Sequence, residues 1–255
     1  MLPAMYALLL PVVFAAALVL TMVGLGGGLI FSPVFVLAGM GKAQAASASL
    51  FLNLVAAASA AWVYGRKGMV DFRLAIPLIV SSSLAAPLGS WLNQRVEMDL
   101  FMGVMAVVLV LAAVRMLLGP KAIKRPEGGR RMGKAASGVL VGAAIGLLAG
   151  LLGIGGGVFV VPLLIFLVGV ETKAAAASST FIVCFSSLFG FLGYAAQASV
   201  NWSFILPAAV LAFAGGQIGS RVMSAKLNTR LIHVIFAGVL LLLAARLGWR
   251  VVAGG

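Results

Sequence analysis

The stretch Val23-Gly-Leu-Gly-Gly-Gly-Leu-Ile-Phe-Ser-Pro33 lies inside a long apolar run near the start of the chain. A close copy, Leu152-Gly-Ile-Gly-Gly-Gly-Val-Phe-Val-Val-Pro162, lies in the second half. In both stretches three consecutive glycines are followed, five residues later, by a proline. Because glycine and proline both weaken a helix, each stretch predicts a break in a helix that would otherwise continue.

The apolar runs around these glycines are too long for one straight membrane helix. No charged residue precedes Lys42, and residues 135–170 are uncharged as well. A helix of about 36 residues would extend roughly 54 Å, whereas the hydrocarbon core of a bilayer is about 30 Å thick. Helices 1 and 5 of the chain are therefore predicted to be interrupted at their glycines, each into two pieces.

The composition excludes a soluble domain. Hydrophobic residues make up 63% of the chain and charged residues only 9%, with a mean hydropathy of +1.20. A soluble domain carries about 25% charged residues. The net charge of +13 is typical of basic cytoplasmic loops in a membrane protein, so we expect the lipid bilayer as a partner and no nucleic acid.

The two halves match at further positions in the same order, which predicts a duplication. The matching pairs are Gly41-Lys42 with Thr172-Lys173, Ser49 with Thr180, Val70-Asp71-Phe72 with Val200-Asn201-Trp202, and Arg115 with Arg246. The predicted organisation is a first membrane repeat at 1–118, a basic cytoplasmic linker at 119–134 and a second membrane repeat at 135–255. The fold class is an all-α polytopic bundle, with further helices near 44–64, 73–93, 99–118, 174–194, 203–221 and 229–247.

The distribution of basic residues favours inverted repeats. If each interrupted segment is a re-entrant hairpin, each half crosses the membrane three times and the second half is inverted. With residues 119–134 inside, this arrangement puts more Lys and Arg on the cytoplasmic side than an arrangement in which the interrupted segments cross. The positive-inside rule therefore favours inversion, with both ends of the chain outside.

The interrupted helices point to an anion site. Backbone groups freed inside a membrane are tolerated only against protein or a water-filled cavity. A half-helix that starts after the glycines directs unpaired N–H groups and a partial positive charge at that cavity, and two such ends can bind an anion without a charged side chain. The candidate residues are Gly26, Gly27, Gly28, Gly155, Gly156 and Gly157. The alternative is that these glycines only allow close helix packing.

Polar side chains early in the second and sixth helices are the next candidates. Ser49 and Asn53 lie at one place in the first half, and Ser179 and Thr180 lie at the matching place in the second. Their alternative role is to bond a carbonyl of their own helix or a neighbouring helix. Apart from Asp99, at the first residue of the helix near 99–118, no Asp or Glu lies in a predicted span, and no Cys or His cluster exists. We therefore expect no metal, no cofactor and no enzymatic activity.

At these residues the sequence resembles the TauE/SafE family, the sulfite exporter-like permeases. The resemblance rests on the two glycine motifs with their prolines, on the stretches around Ser49 and Thr180, and on the helix starts after Asp71 and Asn201. It implies a bacterial inner-membrane transporter of sulfite, an organosulfonate or a related small anion. The rival interpretations are a carrier of another small solute and a membrane scaffold or assembly protein.

Overall fold

The computed structural model describes residues 2–40, 42–93, 170–195 and 201–225, with short pieces between 110 and 165 and between 230 and 249. These residues are helices and the turns that join them, as the long apolar runs predict. The helices are α1 (Leu2–Met22), α2 (Gly28–Leu37), α3 (Lys42–Arg66), α4 (Phe72–Asn93), α5 (Thr172–Ala195) and α6 (Trp202–Ala225). The linker at 119–134 and the second glycine motif at 155–157 lie outside the described residues, as does most of the predicted helix at 99–118.

Helices α3 to α6 begin and end within four residues of the predicted bounds. Three stretches within them are long and apolar enough to cross a membrane: Ser47–Arg66, Thr172–Leu192 and Trp202–Ala225. Shorter apolar helices cover Leu9–Met22 and Phe72–Ala85. The described part of the chain is therefore a bundle of membrane helices.

The repeated motifs before α4 and α6 are helix N-caps. The carboxylate of Asp71 accepts hydrogen bonds from the N–H groups of Arg73 at 3.1 Å and Leu74 at 3.3 Å. The amide oxygen of Asn201 accepts one from the N–H of Phe204 at 3.4 Å. Asp and Asn are preferred at this position because their side chains pair with N–H groups that the first helical turn leaves open.

Residues 23–27 separate α1 from α2. The N–H of Leu25 donates to Leu20 O at 2.9 Å and Gly24 has φ +81°, which is the usual left-handed end of an α-helix. Gly26, with φ +68°, turns the chain a second time. The carbonyl of Gly27 then accepts from the N–H of Phe31 at 3.3 Å and starts α2. Two left-handed glycines in three residues explain why the helix stops here.

Helices α1, α3 and α6 run in the same direction. Gly215 of α6 packs against Phe14 of α1, with 2.7 Å between an ideal Cβ and Phe14 O. One turn later, Gly219 packs against Thr21. The hydroxyl of Tyr64, near the end of α3, donates to Thr21 O, near the end of α1, at 2.8 Å. All three helices therefore end on the same side of the bundle.

Helix α5 runs opposite to α3. Gly190, near the end of α5, packs against Leu50, near the start of α3, with 3.2 Å between an ideal Cβ and Leu50 Cδ1. The hydroxyl of Ser178, near the start of α5, accepts a hydrogen bond from the N–H of Asp71, just beyond α3, at 3.0 Å. The starts of α4 and α5 thus lie together, beside the end of α3.

The chain turns back between α1 and α2. Helix α2 begins next to Asn53, which lies in the middle of α3. It ends at the level at which α6 begins, where the rings of Phe35 and Phe204 pack edge to face with centroids 5.3 Å apart. Leu9 of α1 and Ala45 of α3 belong to the same apolar cluster as these two rings. Helices α1 and α2 therefore form a hairpin whose outer ends both lie near the start of α3.

Candidate functional site

The turn between α1 and α2 is held by the side chain of Asn53 from α3. Its Oδ1 accepts hydrogen bonds from the N–H groups of Gly27 and Gly28, the second at 3.0 Å. Its Nδ2 donates to Ser187 Oγ on α5 at 2.7 Å. Both Asn53 and Ser187 are fully buried. The carboxamide of this α3 residue thus joins the start of α2 to α5.

Hydroxyl groups bind the carbonyls of the same turn. Ser49 Oγ donates to Gly28 O at 3.0 Å, and Ser179 Oγ donates to Gly24 O at 2.7 Å. Ser49 comes from α3 and Ser179 from α5, so the turn is held from both sides. The structure therefore brings together Gly26, Gly27, Gly28, Ser49, Asn53 and Ser179, all of them residues that the sequence points to.

Thr180 is placed differently from the other candidates. Its Oγ1 donates to Ala176 O of its own helix at 2.9 Å, which is the alternative role that hydroxyl residues often have in membrane helices. Ser187 is a site residue that the sequence reasoning missed. An ungapped extension of the match between Ser49 and Thr180 pairs Ser187 with Ala56, so the repeat gives no signal there. The hydroxyl pair Ser186-Ser187 inside an apolar helix was the available signal.

The N–H groups at the first glycine break are not open, which differs from the sequence-based expectation. Those of Gly27 and Gly28 both pair with Asn53 Oδ1. The physical reason is that a buried N–H without an acceptor is costly, and Asn53 is the polar side chain that reaches it. The start of α2 thus has a neutral acceptor already in place.

Two glycines of the turn leave no room for a side chain. A Cβ on Gly24 would lie 2.5 Å from Ala176 O of α5. A Cβ on Gly26 would overlap Asn53 Oδ1 and lie 3.1 Å from Val183 Cγ1. Close packing, the alternative role of the glycines, is therefore real at Gly24 and Gly26, and it is what brings the backbone of the turn to Asn53.

The chemistry of this turn is that of an uncharged polar site in an apolar bundle. Its polar groups are backbone N–H and carbonyl groups, hydroxyls and one carboxamide, and Asp71 and Glu171 both lie outside α1 to α6. No group of three or more His, Cys, Asp or Glu residues that could hold a metal ion occurs in the described residues. Hydrogen-bond donors at a helix start favour an anion or an oxygen atom of a ligand. Gly155, Gly156 and Gly157 lie outside the described residues.

Comparison with known proteins identifies the family. The family model described as sulfite exporter TauE/SafE matches residues 9–247. The probable membrane transporter protein YunE of Bacillus subtilis (strain 168) is 25% identical over 252 residues, covering 89% of this chain and 91% of that protein. A probable membrane transporter protein of Xylella fastidiosa (strain Temecula1) is 28% identical over 216 residues, covering 82% and 78%.

A further relative has a similar coverage. The probable membrane transporter protein YfcA of Escherichia coli (strain K12) is 26% identical over 225 residues, covering 87% of this chain and 82% of that protein. No solved structure gives a significant match. Because the family model matches nearly the whole chain and the relatives share most of its length, the chain belongs to the TauE/SafE sulfite exporter family of membrane proteins.

Proposed function

We propose that the protein exports a small sulfur-containing anion, such as sulfite or an organosulfonate, across the bacterial inner membrane. The anion binds at the turn between α1 and α2 and at the matching glycine motif of residues 155–157. The observation that carries this proposal is the pair of N–H groups, from Gly27 and Gly28, that share one neutral acceptor, Asn53 Oδ1. The family match supports the substrate class.

The anion takes the place of the Asn53 oxygen. Hydrogen bonds to a charged acceptor are about twice as strong as those between neutral groups, so a sulfite oxygen competes well with a carboxamide oxygen for these N–H groups. The partial positive charge at the start of α2 favours the anion further. Once displaced, Asn53 can turn its Nδ2 from Ser187 toward the anion. The same side chain then accepts from the Gly27 and Gly28 N–H groups when no anion is bound, and donates to the anion when one is bound.

An inverted duplication is the architecture that we propose around this site. Helices α3 and α5 occupy matching places in the repeats 1–118 and 135–255, and they run in opposite directions. This is what an inverted pair of repeats requires. The hairpin of α1 and α2 supports a re-entrant first segment, and the same arrangement is proposed for the fifth helix around residues 155–157.

Basic residues support one orientation of the bundle. Arg66 and Lys67 lie at the end of α3, beside the starts of α4 and α5 with Arg73 and Lys173. Lys42 lies at the opposite end, at the start of α3. By the positive-inside rule the end with Arg66 faces the cytoplasm, together with the linker 119–134, and the protein is a multi-pass inner-membrane protein.

A flux and binding screen tests the function. The purified protein is reconstituted in liposomes, and efflux of sulfite, sulfate, thiosulfate and alkyl sulfonates is compared with that of a neutral solute of similar size. We expect saturable efflux of at least one sulfur anion. At about 100 times its dissociation constant, the same anion should raise the free energy of unfolding by about 2.7 kcal/mol.

Two outcomes would replace the proposal. Saturable flux of a neutral or cationic solute, with no response to sulfur anions, would make the protein a carrier of another solute. No flux and no solute-dependent stabilisation would favour a scaffold or assembly protein whose glycines serve packing alone.

A further inference from the structure

We call the end of the bundle that carries Arg66, Lys67, Arg73 and Lys173 the basic end. At this end a groove between α3 and α6 opens on the surface of the bundle. Its volume is about 750 Å³. Basic, aromatic and amide side chains line it, namely those of Trp62 and Arg66 from α3, Lys67 just after α3, and Phe213, Gln217 and Arg221 from α6. None of the described residues that line it is acidic. The groove therefore concentrates positive charge that no lining residue offsets.

The spacing of the groove walls is fixed, because hydrogen bonds join α3 and α6 on the side of the groove that faces away from the basic end. Ser59 Oγ donates to Phe213 O at 2.8 Å, and Gln217 Nε2 donates back to Ser59 O at 3.1 Å. One turn deeper, Gly216 lets α6 approach the backbone of Ala56. The helices thus touch at the level of these residues, and the groove lies between them toward the basic end.

Along the membrane normal, the groove lies at the level of the lipid headgroups. The apolar span of α3, Ser47–Arg66, ends at Arg66, so its guanidinium lies where lipid headgroups lie. Trp62 lies one turn deeper with its side chain 66% exposed, and Phe213 is 51% exposed. Large apolar side chains exposed below a cluster of basic groups suit a ligand with an anionic head and an apolar tail.

The basic side chains are positioned at the mouth of the groove. The guanidinium of Arg66 lies over the Trp62 ring, 5.9 Å from its centroid. Lys67 Nζ donates to Ser224 Oγ of α6 at 2.6 Å, which draws the lysine across the gap toward Arg221. A planar guanidinium can bind two phosphate oxygens at once, and a lysine adds a point charge.

We propose that this groove binds one anionic phospholipid, with its phosphate between Arg66, Lys67 and Arg221 and an acyl chain along Trp62 and Phe213. The charge of the groove selects an anionic headgroup over a zwitterionic one. The exposed apolar walls select a lipid over a soluble anion, which would leave Trp62 and Phe213 uncovered. This site is separate from the turn between α1 and α2 and does not depend on the transported solute.

Lipid binding is measured by native mass spectrometry of the full chain with phosphatidylglycerol and phosphatidylcholine of identical acyl chains. Each interfacial basic residue strengthens the attraction to anionic lipid about fivefold, so three contribute roughly a hundredfold. We expect wild type to prefer phosphatidylglycerol, and Arg66→Gln/Lys67→Gln/Arg221→Gln to bind it about a hundredfold more weakly. The control Lys42→Gln/Arg73→Gln/Lys173→Gln removes the same charge elsewhere and should stay within about threefold of wild type.

A second readout locates the lipid without the triple variant. Phosphatidylglycerol with brominated acyl chains should quench the part of the tryptophan fluorescence that Trp62→Phe removes, and brominated phosphatidylcholine should quench it less. Equal affinity for the two lipids in wild type, an equal loss in the control triple, or an unquenched Trp62 would overturn the proposal. Displacement of the lipid by millimolar inorganic phosphate would overturn it too, since the groove would then be a site for a soluble anion.

Discussion

Asn53 Oδ1 lies 3.0 Å from the amide nitrogen of Gly28, and it accepts from the N–H of Gly27 as well. A side chain of one helix therefore caps the start of another that lies 25 residues earlier in the chain. The caps of α4 and α6, by contrast, come from the residue just before each helix. A capping side chain from a different helix can rotate away without unfolding the helix that it caps. A site at which a ligand replaces the cap needs this property.

Removing the Asn53 side chain should destabilise the protein in the absence of ligand. Asn53→Ala leaves two buried N–H groups without an acceptor, at a cost of about 1–3 kcal/mol each. The control Ser59→Ala also removes a hydrogen bond from α3, the part-buried one to Phe213 O, and should cost about 1 kcal/mol because only one carbonyl loses a partner. Unfolding in detergent measures both. Equal losses would contradict the capping role of Asn53.

The left-handed glycines offer a matched pair of substitutions. Gly24 and Gly68 both have positive φ, but a Cβ at Gly68 meets nothing within 4 Å, whereas one at Gly24 meets the backbone of Ala176. Gly68→Ala should cost only the backbone strain of about 1–2 kcal/mol. Gly24→Ala should cost clearly more and lower transport, because it pushes the turn away from α5. Unfolding midpoints that fall by the same amount would show that the close approach at Gly24 does not matter.

The orientation of the bundle can be tested with single cysteines in a Cys184→Ser background. Arg73 lies at the basic end and Lys42 at the opposite end of α3. In intact cells an impermeant maleimide should label Lys42→Cys and should label Arg73→Cys only after permeabilisation. The reverse pattern would place the basic end outside. Labelling of both before permeabilisation would contradict a crossing of the membrane between these positions.

Export should respond to voltage without a proton gradient. Proton-coupled carriers usually hold an ionisable group within the membrane, and no Asp or Glu lies inside α1 to α6. For an anion leaving a negative interior, the potential supplies about 2.3 kcal/mol per charge per 100 mV, roughly a 50-fold gradient. Efflux from liposomes should follow an imposed potassium diffusion potential and persist when the pH gradient is collapsed. Efflux that ignores voltage and needs a pH gradient would exclude this mechanism.

The helices could be predicted from the sequence because their signals are local. Charged residues mark the ends of the apolar runs, and Asp71 and Asn201 cap the helices that they precede. The turn after α1 has two left-handed residues, Gly24 and Gly26, and both belong to the glycine motif. These features depend on neighbouring residues alone.

The pairing inside the site could not be predicted, because it depends on how α3 and α5 approach each other. The pattern indicated that Asn53 is polar and central but not that its oxygen faces Gly27 and Gly28. Ser187 has an alanine, Ala56, at its matching position in the first half, so the repeat concealed it. The hydroxyl of Thr180 donates to a carbonyl of its own helix, Ala176 O, and composition and spacing do not predict this choice.

The proposed anion site is tested most directly by calorimetry on purified wild type, Asn53→Asp and Ser59→Ala, with the sulfur anion that gives saturable efflux as the ligand. Asn53→Asp keeps the shape of the side chain but places an acceptor of the wrong charge against the N–H groups of Gly27 and Gly28, where it competes with and repels an anion. We expect saturable binding to wild type and Ser59→Ala and none to Asn53→Asp, with size-exclusion chromatography showing that all three proteins are folded. Binding of equal affinity to all three proteins would contradict the assignment of this turn as the anion site.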